Sequence, residues 1–152
     1  MSATPSHLPA GDVSRLVGYR FPDGQYTIEP EAHRQFVEAT DGSTSDRGMA
    51  HPVFGFLVAH CGMGLGFDEF MKLLGAPPDA GALFGQEDLV LERPLRVGEV
   101  FTVRGSIVEA RSTTGSRSGA MDLVTCGLEV VDVEGQVVCR SRETYVIPRS
   151  GT

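Results

Sequence analysis

Residues 48–66 read GMAHPVFGFLVAHCGMGLG and lie in the longest stretch of the chain that has no acidic residue, lysine or arginine. About 18 consecutive apolar residues would also suit a helix that spans a membrane. Here His60 and four glycines interrupt the run after Pro52, and two acidic residues follow it closely. The stretch therefore predicts the buried core helix of a soluble domain, with Pro52 in the first turn, where no N–H is needed.

Composition restricts the class of protein. The chain has 152 residues, of which 41% are hydrophobic and 22% are charged, as expected for one globular domain. Its formal net charge is −7, which argues against a nucleic-acid partner, because phosphates are bound through clustered Lys and Arg. No signal peptide or membrane segment is recognisable, so we expect a cytoplasmic protein with no membrane partner. We expect neither a cofactor nor a bound metal.

The three cysteines, at positions 61, 126 and 139, show no CxxC spacing and lie beside apolar residues. This pattern predicts buried, reduced thiols. Cys61 would need a basic neighbour to act as a nucleophile, and the candidate is His60. Adjacent side chains on a helix diverge by about 100°, so a thiol nucleophile is not favoured.

The rest of the chain predicts a second helix and several strands around the core helix. A helix is expected at residues 29–40, where a proline and two glutamates suit the first turn. Runs typical of strands, most of them rich in Val and Leu, occur at residues 25–28, 82–92, 99–111, 120–133 and 136–148. We expect an N-terminal arm at residues 1–14 and one α+β domain at residues 15–149, in which a curved antiparallel sheet wraps a long central helix.

Five segments occur in the order found in a known family. They are Val17-Gly18-Tyr19, the predicted helix and loop at 29–41, Ala50-His51-Pro52-Val53-Phe54, Gln86-Glu87, and Glu92-Arg93-Pro94-Leu95-Arg96-Val97-Gly98-Glu99. Over roughly residues 15–148 the chain resembles the MaoC-like acyl dehydratases, and most closely their N-terminal-type half. The resemblance implies the hotdog fold and (R)-specific dehydration of 3-hydroxyacyl thioesters, or the reverse hydration, on CoA or acyl carrier protein. It also implies a homodimer, or a heterodimer with a catalytic hotdog subunit.

The family's catalytic motif is only partly matched. Active members carry Gly-Asp-x-Asn-Pro-x-His before the central helix, and the Asp and His move the protons of the reaction. The corresponding loop at residues 40–47 has Asp and Gly in reverse order and has neither Asn-Pro nor histidine. Pro52 stands where active relatives have glycine, and proline has no N–H to bind the enolate-like oxygen. A degraded motif is implied, unless the N–H of Val53 or Phe54 replaces that donor.

The resemblance and the loop together give the candidate site. The candidate catalytic residues are His51, Asp41 and Asp46, although caps and turns are the commoner use of such residues at a helix start. The candidate substrate-binding residues are Gly48, Val53, Phe54, Gly55 and Arg93. Arg93 would bind a CoA phosphate or the phosphopantetheine arm, or else pair with Glu92 or Glu99. His60 is interpreted as a core or interface histidine.

Two other functions stay open. In a hotdog thioesterase, an acidic residue of the central helix such as Asp68 or Glu69 would activate water. A non-enzymatic acyl-binding subunit would bind the thioester without converting it. All three functions predict a dimer, because a single hotdog domain exposes the edge of its sheet.

Overall fold

The fold is known from a computed structural model that describes residues 12–40, 42, 47–76 and 81–149. Within these residues, five antiparallel strands form one sheet in the order β1-β3-β4-β5-β2. The strands are β1 (Gly24–Thr27), β2 (Leu83–Leu91), β3 (Val100–Gly115), β4 (Gly119–Val131) and β5 (Val137–Pro148). The helices are a 3-10 helix at Val13–Leu16, α1 (Pro30–Ala39), α2 (Phe54–Cys61) and α3 (Phe67–Leu73).

Helix α2 lies against the sheet and contacts all five strands. Five flat strands would span roughly 19 Å, whereas a helix is about 10 Å across, so the sheet has to curve around α2. The predicted α+β architecture, a central helix wrapped by an antiparallel sheet, is confirmed. In the part of the chain that the structure describes, no helix is long and apolar enough to cross a membrane.

Helix α2 is shorter than the long helix expected, because glycines end it after Cys61. Its C-cap is Gly62, whose N–H donates to the Val58 carbonyl. These glycines allow the chain to approach the sheet closely. A Cβ on Gly62 would lie 2.6 Å from Cγ2 of Val103, and one on Gly64 would lie 1.8 Å from the Pro22 carbonyl oxygen. The chain thus crosses tightly over β1 and β3 before α3 begins.

The predicted strands all occur, and the largest difference is at the far end of β3. That strand continues to Gly115, four residues beyond the predicted end, and pairs with β4 up to Gly119. A tight hairpin joins β4 and β5. Asp132 forms it, because its Oδ1 accepts the N–H groups of Glu134 (3.0 Å) and Gln136 (2.9 Å).

The core lies between α2 and the concave face of the sheet. Phe54 on α2 and Phe101 on β3 are each 1% exposed, and burying a side chain of this size contributes about 1.5–3 kcal/mol. Val13 also belongs to the core, so the described core begins before residue 15. Cys126 and Cys139 are buried as predicted, but the prediction for Cys61 is wrong, because its side chain is exposed at the end of α2.

Candidate functional site

The start of α2 is where the resemblance places the reaction, and His51 is held there by two hydrogen bonds. Its backbone N–H donates to Nε2 of His33 over 2.9 Å, and its ring Nδ1 accepts the N–H of Val53 over 3.2 Å. His33 is buried on α1 and its ring lies 5.1 Å from that of Phe54. Both rings therefore act as hydrogen-bond acceptors in the contact between α1 and the start of α2.

The backbone donors at this helix start are already used. The N–H of Val53 bonds to His51, the N–H of Phe54 donates to the His51 carbonyl (2.9 Å), and that of Gly55 donates to the Pro52 carbonyl (3.0 Å). An enolate-like oxygen would have to displace one of these bonds to be stabilised here. Phe54 and Gly55 face the core, and a Cβ on Gly55 would lie 2.9 Å from Cδ2 of Leu91. Their positions therefore serve the packing of α2 against β2.

Gly48 connects the preceding loop to the turn between β2 and β3. It has φ +68°, a conformation that favours glycine, and its carbonyl accepts the N–H of Val97 over 2.9 Å. The Ala50 N–H then donates to the Leu95 carbonyl over 2.8 Å. Asp41 and Asp46, the other two candidate catalytic residues, lie outside the described residues.

Arg93 is paired with carboxylates. Its guanidinium donates to Glu99 and, over 3.2 Å, to Asp132, and these partners raise the pKa of Arg93. It borders a shallow depression of about 250 Å³ that is also lined by Met49, Pro94, Arg96 and Glu99. A phosphate group would have to compete there with two carboxylates, so the pairing with Glu99 considered for Arg93 is the one present.

The acidic residues considered for a thioesterase do not lie on the central helix. Asp68 and Glu69 are exposed in the first turn of α3. Oε2 of Glu69 accepts the N–H of Gly66 over 3.2 Å, so Glu69 caps that helix. Within the described residues, no group of three or more His, Cys, Asp and Glu side chains is arranged to hold a metal.

A polar cluster lies at the opposite end of α2, under its last turn. Glu143 on β5 is 0% exposed, and its Oε2 lies 2.9 Å from Nδ1 of His60 and 2.5 Å from the Tyr145 hydroxyl. The short distance makes the Tyr145 hydroxyl a donor to the carboxylate, and Nδ1–H of His60 is then the second donor. A buried carboxylate needs such donors to offset its lost hydration.

The cluster continues to the edge strand β2. The Ser141 hydroxyl donates to Oε1 of Glu87 over 2.7 Å, while Oε2 of Glu87 is buried and has no hydrogen-bond partner among the described residues. We use the name polar cluster for His60, Glu87, Ser141, Glu143 and Tyr145. The rings of Phe56, stacked on His60 at 5.2 Å, and Phe84, edge-on at 6.1 Å, flank it.

The environment shifts the acid–base properties of these groups. The hydrogen bond to Glu143 raises the pKa of His60 above its usual 6.5, although partial burial opposes that shift. Burial raises the pKa of Glu87 and that of the Tyr145 hydroxyl. Although Cys61 is exposed, its thiol is partly desolvated at the end of α2, and this raises its pKa, which agrees with the low rank given to that thiol as a nucleophile.

Sequence reasoning used Glu87 only as part of the segment Gln86-Glu87 that carries the resemblance, missed Glu143, and considered His60 only as a core or interface residue. One signal was present. In β5 the buried residues alternate along the strand, and Glu143 occupies an inward position between Ser141 and Tyr145. An acidic residue on the apolar face of a strand indicates a partner that crosses the core.

Comparison with known proteins gives one family match and several similar folds. A family model described as FAS1-like, dehydratase domain region, matches residues 15–141. No curated protein sequence matches the chain. Three solved structures of similar fold are each less than 25% identical to the chain in sequence. At that level of identity the likeness concerns the fold alone.

The HadBC (3R-hydroxyacyl-ACP dehydratase) complex from Mycobacterium tuberculosis aligns with a TM-score of 0.60 and 18% identity, over 84% of this chain and 93% of that one. The ChsH1–ChsH2 complex from the same organism aligns with a TM-score of 0.63 and 12% identity, over 88% and 86%. A MaoC-like dehydratase from Rhodospirillum rubrum aligns with a TM-score of 0.54 and 23% identity, over 93% and 100%. The likeness shows the hotdog fold.

Proposed function

The chain belongs to the FAS1-like dehydratase-domain family, which is MaoC-like and has the hotdog fold, and from this premise we propose that it handles acyl thioesters. The reaction type is that of the (R)-3-hydroxyacyl-CoA or acyl-carrier-protein dehydratases, which remove water from a 3-hydroxyacyl thioester and also catalyse the reverse hydration of an enoyl thioester. Its own catalytic motif is degraded, and the subunit works in the cytoplasm with a hotdog partner that supplies the acid–base pair. This chain helps to hold the acyl group.

The observation that carries the proposal is the state of the donors at the start of α2. Pro52 has no N–H, and the N–H groups of Val53 and Phe54 are bonded to His51. Dehydration builds negative charge on the thioester oxygen, and a preformed donor is worth about 10²–10³ in rate. The hydrogen bond from the Val53 N–H to Nδ1 of His51 supports a structural role for His51 in this proposal, rather than that of a catalytic base.

The edge of the sheet supports association with a partner. Within the described residues β2 is an edge strand, and Leu83, Phe84 and Val90 on it are exposed by 59%, 47% and 54%. An uncovered edge with large apolar side chains favours pairing with another chain. HadBC and ChsH1–ChsH2 are complexes, which is consistent with a homodimer or a heterodimer here.

The test is purification of the native complex from the source organism, followed by hydratase assays of the complex and of each component with crotonyl-CoA. We expect hydration by the complex and none by this chain alone, and His51→Ala in this chain should leave the rate of the complex within about twofold. Rapid hydration by the isolated chain, abolished by His51→Ala, would contradict the proposal.

The same assay separates the other two functions. Release of free thiol, detected with a thiol reagent, would identify a thioesterase, because dehydration leaves the thioester intact. Thermal stabilisation by acyl-CoA without turnover in any combination of subunits would identify a non-enzymatic acyl-binding protein.

A further inference from the structure

Two glutamates face each other across the edge of the sheet. Glu87 on β2 pairs directly with Glu143 on β5, and the hydroxyl of Ser141 lies 2.7 Å from Oε1 of Glu87 and 3.5 Å from Oε1 of Glu143. Cross-strand partners have Cβ atoms about 4.5–5.5 Å apart, and like charges at such positions destabilise a sheet. The fold therefore brings together two carboxylates that repel each other when both are ionised.

The hydrogen-bond donors of the polar cluster serve one of these two carboxylates. Oε2 of Glu143 accepts from the Tyr145 hydroxyl and lies 2.9 Å from Nδ1 of His60. Oε2 of Glu87 is buried and bonds to none of the described residues. A buried, ionised oxygen without a donor is costly, and a neutral carboxyl group avoids much of that cost. Glu143 is thus equipped to carry a negative charge, and Glu87 to carry a proton.

We propose that Glu87 and Glu143 share one proton in the folded protein above the pH at which exposed glutamates ionise, and that loss of this proton releases the edge strand β2 from the last turn of α2. The proton lies on Oε1 of Glu87, which then donates to the Ser141 hydroxyl, and that hydroxyl points its own hydrogen toward Glu143. A hydrogen on Oε2 would have no acceptor among the described residues. With both carboxylates ionised, Ser141 has one hydrogen for two anions.

The position of Glu87 in β2 couples the proton to the strand. Its inward neighbours on β2 are apolar, since the ring of Phe84 packs edge-on to that of His60 and Leu89 lies against Gly55 of α2. Among the described strands, β2 pairs with β5 alone, and Glu87 is half-buried. An outward shift of β2 therefore hydrates the carboxylate and leaves the rest of the sheet intact. The protonated side chain favours the packed strand, and the ionised side chain favours the released one.

The neighbouring groups set the pH range of this change. Burial raises the pKa of Glu87 most and the charge of Glu143 raises it further, while the hydrogen bond from Ser141 and the charge of His60 lower it. The other titratable neighbours are Cys139 and Tyr145 on β5, and Asp88 on the outer face of β2. The stability of the packed strand is therefore complete below pH 4.5 and is lost as the pH rises through the raised pKa.

The experiment follows the proton and the strand separately in the full chain. Infrared spectra of protein with ¹³C-labelled glutamate, recorded from about pH 4 to pH 9, detect the C=O stretch of a protonated carboxyl group. Hydrogen exchange of residues 83–91, corrected for its intrinsic pH dependence, measures the opening of β2. We expect a carboxyl band that persists above the range of exposed glutamates. Once it is lost, β2 should open about tenfold more often, as linkage requires if the packed strand binds the proton tenfold more tightly than the released one.

Three variants assign these changes. Glu87→Gln is neutral at every pH, so it should lack the band and keep the opening of β2 rare throughout. Glu143→Gln removes the facing charge and should move the loss of the band to lower pH. Asp88→Asn is the matched control, because its side chain lies on the opposite face of β2, and it should behave as the parent protein does.

Two results would overturn the proposal. If no carboxyl band persists above the range of exposed glutamates, or if the band is unchanged in Glu87→Gln, the two carboxylates do not share a proton on Glu87. If the band is present but β2 opens equally often before and after its loss, the proton does not hold the strand. Should Glu87→Gln fail to fold, a band whose loss occurs at the same pH in Glu143→Gln as in the parent protein overturns the shared proton. The proposed function uses neither carboxylate, so either proposal can fail without the other.

Discussion

The two ends of α2 differ in how their polar groups are satisfied. At the start, the ring of His51 and the N–H groups of Val53 and Phe54 bond to one another within four residues. At the last turn, His60 bonds to a carboxylate on β5 that is 83 positions away in sequence, and none of the described residues donates to Oε2 of the neighbouring Glu87. The family resemblance leads to the first end, whereas the unused hydrogen-bonding capacity lies at the second.

This difference separates two uses of a histidine on a helix. His51 closes a local turn, so its contribution is to the geometry of the chain that enters α2. His60 is held through Nδ1 by a buried carboxylate, while its Nε2 bonds to none of the described residues. Proteins use such a bond to one ring nitrogen to fix the orientation and tautomer of an imidazole. Four predictions test this comparison, taken from the largest expected effect to the smallest.

The first prediction concerns the packing of the helix start. Phe54→Ala should lower the free energy of unfolding by about 3–5 kcal/mol, because the side chain is 1% exposed and its loss leaves a cavity between α2 and the sheet. Phe56→Ala, on the half-buried face of α2, is the control and should lower the free energy of unfolding by less than half as much. Urea denaturation of the three proteins measures the difference, and equal losses would contradict the assignment of the two faces.

The second prediction concerns the buried carboxylate. Glu143→Ala should lower the free energy of unfolding by about 2–4 kcal/mol, since it leaves the Tyr145 hydroxyl and His60 without their acceptor and opens a cavity. Glu143→Gln should cost less, because the amide oxygen still accepts from Tyr145. If chemical denaturation showed that Glu143→Ala is as stable as the parent protein, the hydrogen bonds of the polar cluster would not contribute to the stability of the fold.

The third prediction concerns pH. The folded-state pKa of His60 is raised above 6.5 by its bond to Glu143, so the stability it contributes is complete below pH 6.5 and is lost as the pH rises through the folded value. Thermal unfolding midpoints should therefore fall as the pH rises from about 6 toward 8, and His60→Gln should flatten that part of the curve. Burial also raises the pKa of Glu87 above 4.5. The stability that its protonated form contributes is therefore complete below pH 4.5 and is lost as the pH rises through the folded-state pKa.

Glu87→Gln separates these two contributions. It should remove the decrease that begins above pH 4.5 and leave the decrease above pH 6.5 in place. A curve for His60→Gln that is parallel to that of the parent protein between pH 6 and pH 8 would show that the bond to Glu143 does not stabilise the protonated imidazole.

The fourth and smallest effect is expected at Arg93, which is remote from the polar cluster. Arg93→Gln should lower the free energy of unfolding by about 1 kcal/mol or less, because the ion pairs with Glu99 and Asp132 are only half-buried. Affinity for CoA, measured by calorimetry, should stay within about twofold of the parent value, since the guanidinium is held by carboxylates. A loss of CoA binding would instead make Arg93 a phosphate ligand.

Much of the fold follows from local pattern. The uncharged run at residues 48–66 predicts a core helix, and Val-rich alternating segments predict the strands that pair around it. The shortening of α2 was harder to predict, because it depends on backbone contact between Gly64 and Pro22. The exposure of Cys61 follows from the same shortening, which leaves that residue in the last turn of the helix.

The sequence alone determined the α+β class and the family, because each depends on residue types at short spacing. Proline at position 52 lacks an N–H in any fold. Only the tertiary structure decided that His33 accepts the backbone N–H of His51, that Asp132 pairs with Arg93 and that Glu143 bonds to His60, since these partners come from distant parts of the chain. Hydrogen bonds and burial are properties of spatial neighbours, and the curvature of the sheet around α2 brings Glu143 and Glu87 to its last turn.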